Sequence, residues 1–137
     1  MGLILDSSVI VAAERRAQPV SELLAEIRNV VGVTDILLSA VSVIELDHGL
    51  WRAQTAQLAQ RRRDYLDSVF AVLPVEPFTK EMAHLAAKID ADSRTQGIVI
   101  PFADLQIAVT ALHHGYAIGT LNVRHFRMIP GLEVKQL

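Results

Sequence analysis

Three carboxylates stand in this chain where packing alone would not place them. Asp6 ends the apolar run Gly2 to Leu5, Glu45 interrupts the apolar stretch Val41 to Leu46, and Asp104 lies just inside a segment opened by Pro101. A charge in apolar surroundings is costly unless it opens into a cavity or finds a partner. Acids that converge on one pocket repel each other, and a divalent cation relieves that repulsion. Oxygen-only ligands select Mg²⁺ or Mn²⁺. Each acid also has a local role open to it. Asp6 is placed to cap a following helix, Glu45 follows Ser42 at capping-box spacing, and Asp104 in a first turn favours the helix dipole.

The elements that would position these acids follow from the hydrophobic pattern. Gly2 to Leu5 reads as a buried strand leading into a helix over Val9 to Arg16. After Pro19, Val20 to Val31 has helical spacing at Leu23, Leu24, Ile27 and Val31. Ile36 to Leu38 is a second strand, and Ser39 or Ser42 opens a helix through about Trp51. Arg52 to Ser68 is polar with Leu58, Tyr65 and Leu66 near helical spacing, which predicts an exposed amphipathic helix whose Arg61-Arg62-Arg63 run is a solvated face. Phe70 to Val75 is expected as a third strand, followed by a helix over Thr79 to Thr95. A helix from Pro101 to His113 ends at Gly115. Tyr116 to Gly119 and Leu132 to Lys135 complete the strands.

Strands thus alternate with helices, which predicts one α/β domain over residues 1–137. Its core is a parallel sheet of about five strands with helices on both faces. In such sheets ligands bind beyond the carboxyl ends of the strands, at a topological switch point. Asp6 and the loop after Gly119 lie at that edge. The helix carrying Asp104 has Ile107, Ala108 and Ala111 on its face, so it is expected to be central and buried.

Composition bounds the remaining classes. Hydrophobic residues make up 51% and charged residues 20%, which fits a globular domain. Mean hydropathy is +0.32, high for a small domain, and points to burial by a second copy or a partner. There is no cysteine, which excludes disulfides and thiolate metal sites and fits a cytoplasmic location. The N-terminal apolar stretch carries Asp6 and lacks a basic leader, so no signal peptide is expected, and no run is long enough to cross a membrane. The net charge of −2 gives no global attraction to nucleic acid, so any RNA contact needs a local basic patch.

Taken together, the segments Leu3-Ile4-Leu5-Asp6-Ser7-Ser8-Val9-Ile10, Ser42-Val43-Ile44-Glu45-Leu46, Pro101-Phe102-Ala103-Asp104-Leu105-Gln106-Ile107-Ala108 and Gly119-Thr120-Leu121-Asn122-Val123-Arg124-His125-Phe126, continued by Ile129 to Leu132, resemble the PIN-domain family, and especially its VapC-like toxins. Their order and spacing cover essentially the whole chain. The resemblance implies cleavage of single-stranded RNA by hydrolysis of a phosphodiester, with Mg²⁺ or Mn²⁺ activating the attacking water. Carried over by position, it makes Asp6, Glu45 and Asp104 the metal-binding and catalytic acids, with Ser8 and Thr120 supporting them. The family often has further acids after the fourth strand, where this chain has Asn122 and His125. Asn122 offers a carbonyl oxygen without charge, which implies weaker binding of a second metal.

The resemblance also implies a cognate antitoxin whose helical tail lies in an apolar groove, assigned here to Leu46, Leu50 and Trp51. A homodimer is expected from the hydropathy, and Arg15, Arg124 and His125, with Arg16 and Arg127, are candidates to clamp RNA phosphates. Two rival readings stand beside the nuclease. One is a PIN-like scaffold that binds RNA or protein without cutting, for which Asn122 is the support. The other is a phosphotransferase using Asp6 as nucleophile, weakened because the second Asp expected two residues later is Ser8.

Overall fold

A computed structural model describes residues 1–137. Five strands form one sheet in the order β3-β2-β1-β4-β5, and every neighbouring pair is parallel. The strands are β1 (Gly2–Leu5), β2 (Asp35–Ser39), β3 (Val75–Glu76), β4 (Ala117–Thr120) and β5 (Val134–Gln136). Seven helices connect and cover them: α1 (Ser7–Arg15), α2 (Val20–Val31), α3 (Ala40–Trp51), α4 (Ala56–Val72), α5 (Lys80–Thr95), α6 (Phe102–His114) and α7 (Val123–Phe126).

The central strand β1 is apolar and buried throughout because both faces of the sheet are covered there. In β1, Leu3 and Leu5 face a core shared with α1, α2 and α4, while Ile4 faces a second core with α5 and α6. The two sets alternate with the period of a strand. Ile107, Ala108 and Ala111 of α6 are completely buried in the second core, so this helix is central as its sequence predicts. Gly119 sits in a tight place in β4, where a Cβ would lie 3.0 Å from Leu137 Cδ1, 3.1 Å from Leu3 Cδ2 and 3.2 Å from Leu5 Cδ2. Gly115 ends α6 in the left-handed conformation, φ 69 and ψ 28. No helix is long and apolar enough to cross a membrane.

The strand order creates the switch point. From β1 the chain moves outward through β2 to β3, then returns to place β4 on the other side of β1. The carboxyl ends of β1 and β4 therefore diverge into α1 and α7, leaving a crevice between them. The backbone N–H of Asp6 donates to Gly119 O at 2.9 Å, which fixes the end of β1 against β4.

One expected element is corrected. Phe70 to Val75 is not a strand: α4 continues through Val72, and β3 holds only Val75 and Glu76. Leu66, Val69 and Leu73 are buried at successive turns, so the run that looks like a strand is the last apolar turn of a helix. The backbone becomes extended at Leu73, the residue before Pro74, and strand pairing begins at Val75. The short helix α7 was not expected. The remaining elements lie within a few residues of their expected bounds.

Candidate active site

Asp6 is the first residue beyond β1 and only 6% exposed. It occupies the N-cap position of α1, yet its side chain caps nothing. Instead Oδ2 accepts from Ser8 Oγ at 2.7 Å and from Thr120 Oγ1 at 2.9 Å. Thr120, at the end of β4, is itself fully buried, and its Oγ1 also accepts the backbone N–H of Asn122 at 2.9 Å. One carboxylate oxygen is thus held by two hydroxyls, while Oδ1 has no donor from the protein. The capping role is eliminated for Asp6, and the carboxylate is oriented from both sides of the switch point.

Glu45 lies in the second turn of α3. The N-cap of that helix is Ser39, whose Oγ accepts from Val41 N, so Ser42 and Glu45 do not form a capping box. Glu45 Oε1 instead accepts from Ser7 Oγ at 3.1 Å. As a residue Glu45 is exposed, but its carboxyl is partly desolvated. That desolvation raises its pKa, with the charges of Asp6 and Asp104 adding to the rise and the Ser7 hydrogen bond opposing it.

Asp104 is in the first turn of α6. Its Oδ2 accepts from His125 Nδ1 on α7 at 2.7 Å. Burial nevertheless raises the Asp104 pKa, the hydrogen bond from His125 counteracts it, and the Asp6 charge adds to the rise. The three acids therefore feel one another electrostatically, although no three acidic or histidine side chains stand close enough to enclose a single ion directly.

All three acids line one open pocket of about 430 Å³, together with Ser7, Ser8, Arg15 and Asn122. The remaining candidates divide. Asn122 and Arg15 line the pocket, His125 is committed to Asp104, and Arg124 is exposed on α7 outside the lining. Of the stretch assigned to an antitoxin groove, Leu46 and Leu50 are buried in the first core with Leu66 and Val69, because they share the inward face of α3. Only Trp51 is exposed, at 77%, with the Arg63 guanidinium 6.0 Å from its ring. Ser7 and the contact between His125 and Asp104 were missed by sequence reasoning. Ser7 had a signal, since it directly follows an acid at a helix start. The His125 contact spans 21 residues and had none.

The fold is a five-stranded parallel α/β sheet with an acidic, hydroxyl-supported pocket at its switch point. The PIN domain family matches residues 3–131, and the chain belongs to that family. It is 34% identical over 134 residues to the ribonuclease VapC of Rickettsia bellii, covering 98% of this chain and 95% of that protein. It is 32% identical over 134 residues to ribonuclease VapC1 of Rickettsia felis, with the same coverage. Among solved structures, FitAcB from Neisseria gonorrhoeae superposes with a TM-score of 0.79 at 26% identity, covering 96% of this chain and 95% of that one. VapBC2 from Rickettsia felis, bound to a DNA fragment from its promoter, shares the fold with a TM-score of 0.87 at 19% identity, covering 100% of this chain and 99% of that one.

Proposed function

We propose that this chain is a divalent-metal-dependent endoribonuclease and the toxin half of a toxin–antitoxin pair. The observation that carries the reading is the gathering of Asp6, Glu45 and Asp104, from three separate elements, around one pocket. The relatives named VapC ribonucleases support it. The donor set fits Mg²⁺ or Mn²⁺: every acidic ligand is an oxygen, and burial first, then the charges of neighbouring acids, push the Glu45 and Asp104 carboxyls up, a repulsion that a cation would relieve. Direct enclosure by three side chains is not needed, since Mg²⁺ keeps several waters and takes one or two carboxylates.

Asp6 and Asp104 would hold the ion, with Glu45 ligating it or orienting water. When bound, the ion lowers the pKa of water and neutralises charge on the phosphate. The protein's own groups supply the rest. Ser8 and Thr120 fix the Asp6 carboxylate so that Oδ1 stays available, and His125 sets the rotation of Asp104. Arg15 at the pocket rim attracts a phosphate oxygen, and Asn122 offers an uncharged amide to the strand. Exposed Ile44, Trp51, Val99 and Phe102 provide the apolar surface for an antitoxin and a second copy. A non-cutting scaffold is the second reading, favoured by Asn122 in the pocket lining, where an acid would strengthen metal binding.

The test is incubation of antitoxin-free protein with cellular RNA in Mg²⁺, in Mn²⁺ and in chelator. Cutting that needs metal and disappears in folded Asp104→Asn is expected. Intact RNA with either metal supports the scaffold instead.

A further inference from the structure

The largest open groove of the molecule is not the acid pocket but a cleft of about 890 Å³ beside it, between α1, the end of α3 and α4. Its lining includes Arg15, Arg52, Arg61 and Arg62, against the single acid Glu14. This local excess of positive charge occurs in a chain whose net charge is −2. The arginines come from three places in the sequence, so the Arg61-Arg62-Arg63 run is not simply a solvated helix face. Two of its members turn toward a groove that α1 and the loop after α3 complete.

The arginines are not equivalent. Arg62 Nε pairs with Glu14 Oε1 at 3.3 Å, and its Nη1 lies in the space a side chain would need at Gly49, so it ties α4 to α1 and α3. Arg15, Arg52 and Arg61 are exposed and have no carboxylate within salt-bridge distance. Arg15 lines both this groove and the acid pocket, so the two are continuous through its side chain.

We propose that Arg15, Arg52 and Arg61 form a phosphate track that holds the RNA strand as it leaves the acid pocket. The inference rests on the nuclease reading only in taking RNA as the polyanion. Guanidinium groups bind phosphate oxygens as planar forks. Three unpaired ones lining one groove beside the acid pocket position a strand without reading its sequence.

The experiment is binding of a fluorescent oligouridylate by anisotropy, in chelator so that nothing is cut, across a series of KCl concentrations. It compares wild type with Arg52→Ala/Arg61→Ala, which spares the shared Arg15, and with Arg28→Ala/Arg94→Ala, which removes the same charge elsewhere. Single strands give a slope of log K against log salt of about −0.7 per phosphate contact. Three contacts predict a slope of about −2 for wild type and the distant control, falling to about −0.7 in the groove variant. Equal slopes in all three proteins overturn the track and leave the nuclease reading intact, since cleavage is measured separately. A lost slope in the groove variant supports the track even where no RNA is cut. Unchanged RNA slopes, with loss of binding to a polyglutamate peptide in the groove variant, assign the groove to an acidic protein and overturn the proposal.

Discussion

Replacing Thr120 by valine removes one hydroxyl and keeps the shape of a fully buried side chain. The hydroxyl donates to Asp6 Oδ2 at 2.9 Å and accepts from Asn122 N at 2.9 Å. Loss of a hydrogen bond to a charged group costs about 1.5–3 kcal/mol, and loss of the neutral one about 1 kcal/mol. A total near 3 kcal/mol is expected, which at about 2.1 cal/mol/K per residue over this chain lowers Tm by roughly 10 °C. The assay is thermal unfolding of wild type, Thr120→Val, Asp6→Asn and the double variant. Neutralising Asp6 removes the charge-assisted part, so the cost of Thr120→Val should fall by about 1–2 kcal/mol in the Asp6→Asn background. Equal cost in both backgrounds would refute the argument that Thr120 acts on the carboxylate. Cleavage should also drop in Thr120→Val below its melting range, because Asp6 is then held by Ser8 alone.

Other consequences concern the remaining site groups. Glu45 and Asp104 bind protons more tightly folded than unfolded, so their ionised forms oppose folding at neutral pH. Their contribution improves as pH falls from their raised values toward the ordinary carboxylate range near roughly 4. Asp104→Asn and Glu45→Gln should therefore melt higher than wild type in chelator at neutral pH, with the gap closing in acid; a lower Tm at neutral pH contradicts this. Removing the imidazole in His125→Leu takes away the hydrogen bond that counteracts burial, so the Asp104 pKa followed by carbon NMR should move further up, and a fall would refute the pairing. Leu50→Ala should cost about 2–5 kcal/mol as a core truncation, while exposed Trp51→Ala should change stability by under about 0.5 kcal/mol. Calorimetric antitoxin binding is then read cleanly in Trp51→Ala, and undiminished affinity would remove Trp51 from the interface.

The acids were legible because each breaks a local pattern: a charge closing a buried strand, interrupting an apolar helix or entering a central one. Parallel topology followed from the alternation of elements, and so did the place of Asp6 and the loop after Gly119 at the carboxyl edge; the strand order that makes the switch point depends on long-range pairing that no local pattern displays. What failed did so for identifiable reasons. The run at Phe70 to Leu73 is apolar on all sides, and such a run fits a helix end as well as a buried strand. That Leu46 and Leu50 lie buried in the first core with Leu66 and Val69 depends on the packing of α3 against α4, which their spacing alone does not display. The three unpaired arginines of the cleft lie in α1, after α3 and in α4, so no sequence window contains them together. Likewise the clasp on Asp6 joins residues separated by 114 positions. Only the register of β4 beside β1 brings Thr120 to that carboxylate.

On the proposed reading Asp6 and Asp104 would hold the ion on which RNA cleavage depends, with Glu45 ligating it or orienting water. The most direct test is Mn²⁺ binding followed by electron paramagnetic resonance, with RNA cleavage measured on the same samples of wild type, Asp6→Asn, Glu45→Gln and Asp104→Asn. Wild type is expected to bind Mn²⁺ and cut, and Asp6→Asn and Asp104→Asn, folded, to lose both together. Cleavage that persists in either of those variants, or Mn²⁺ bound equally well by all four proteins, would contradict this reading.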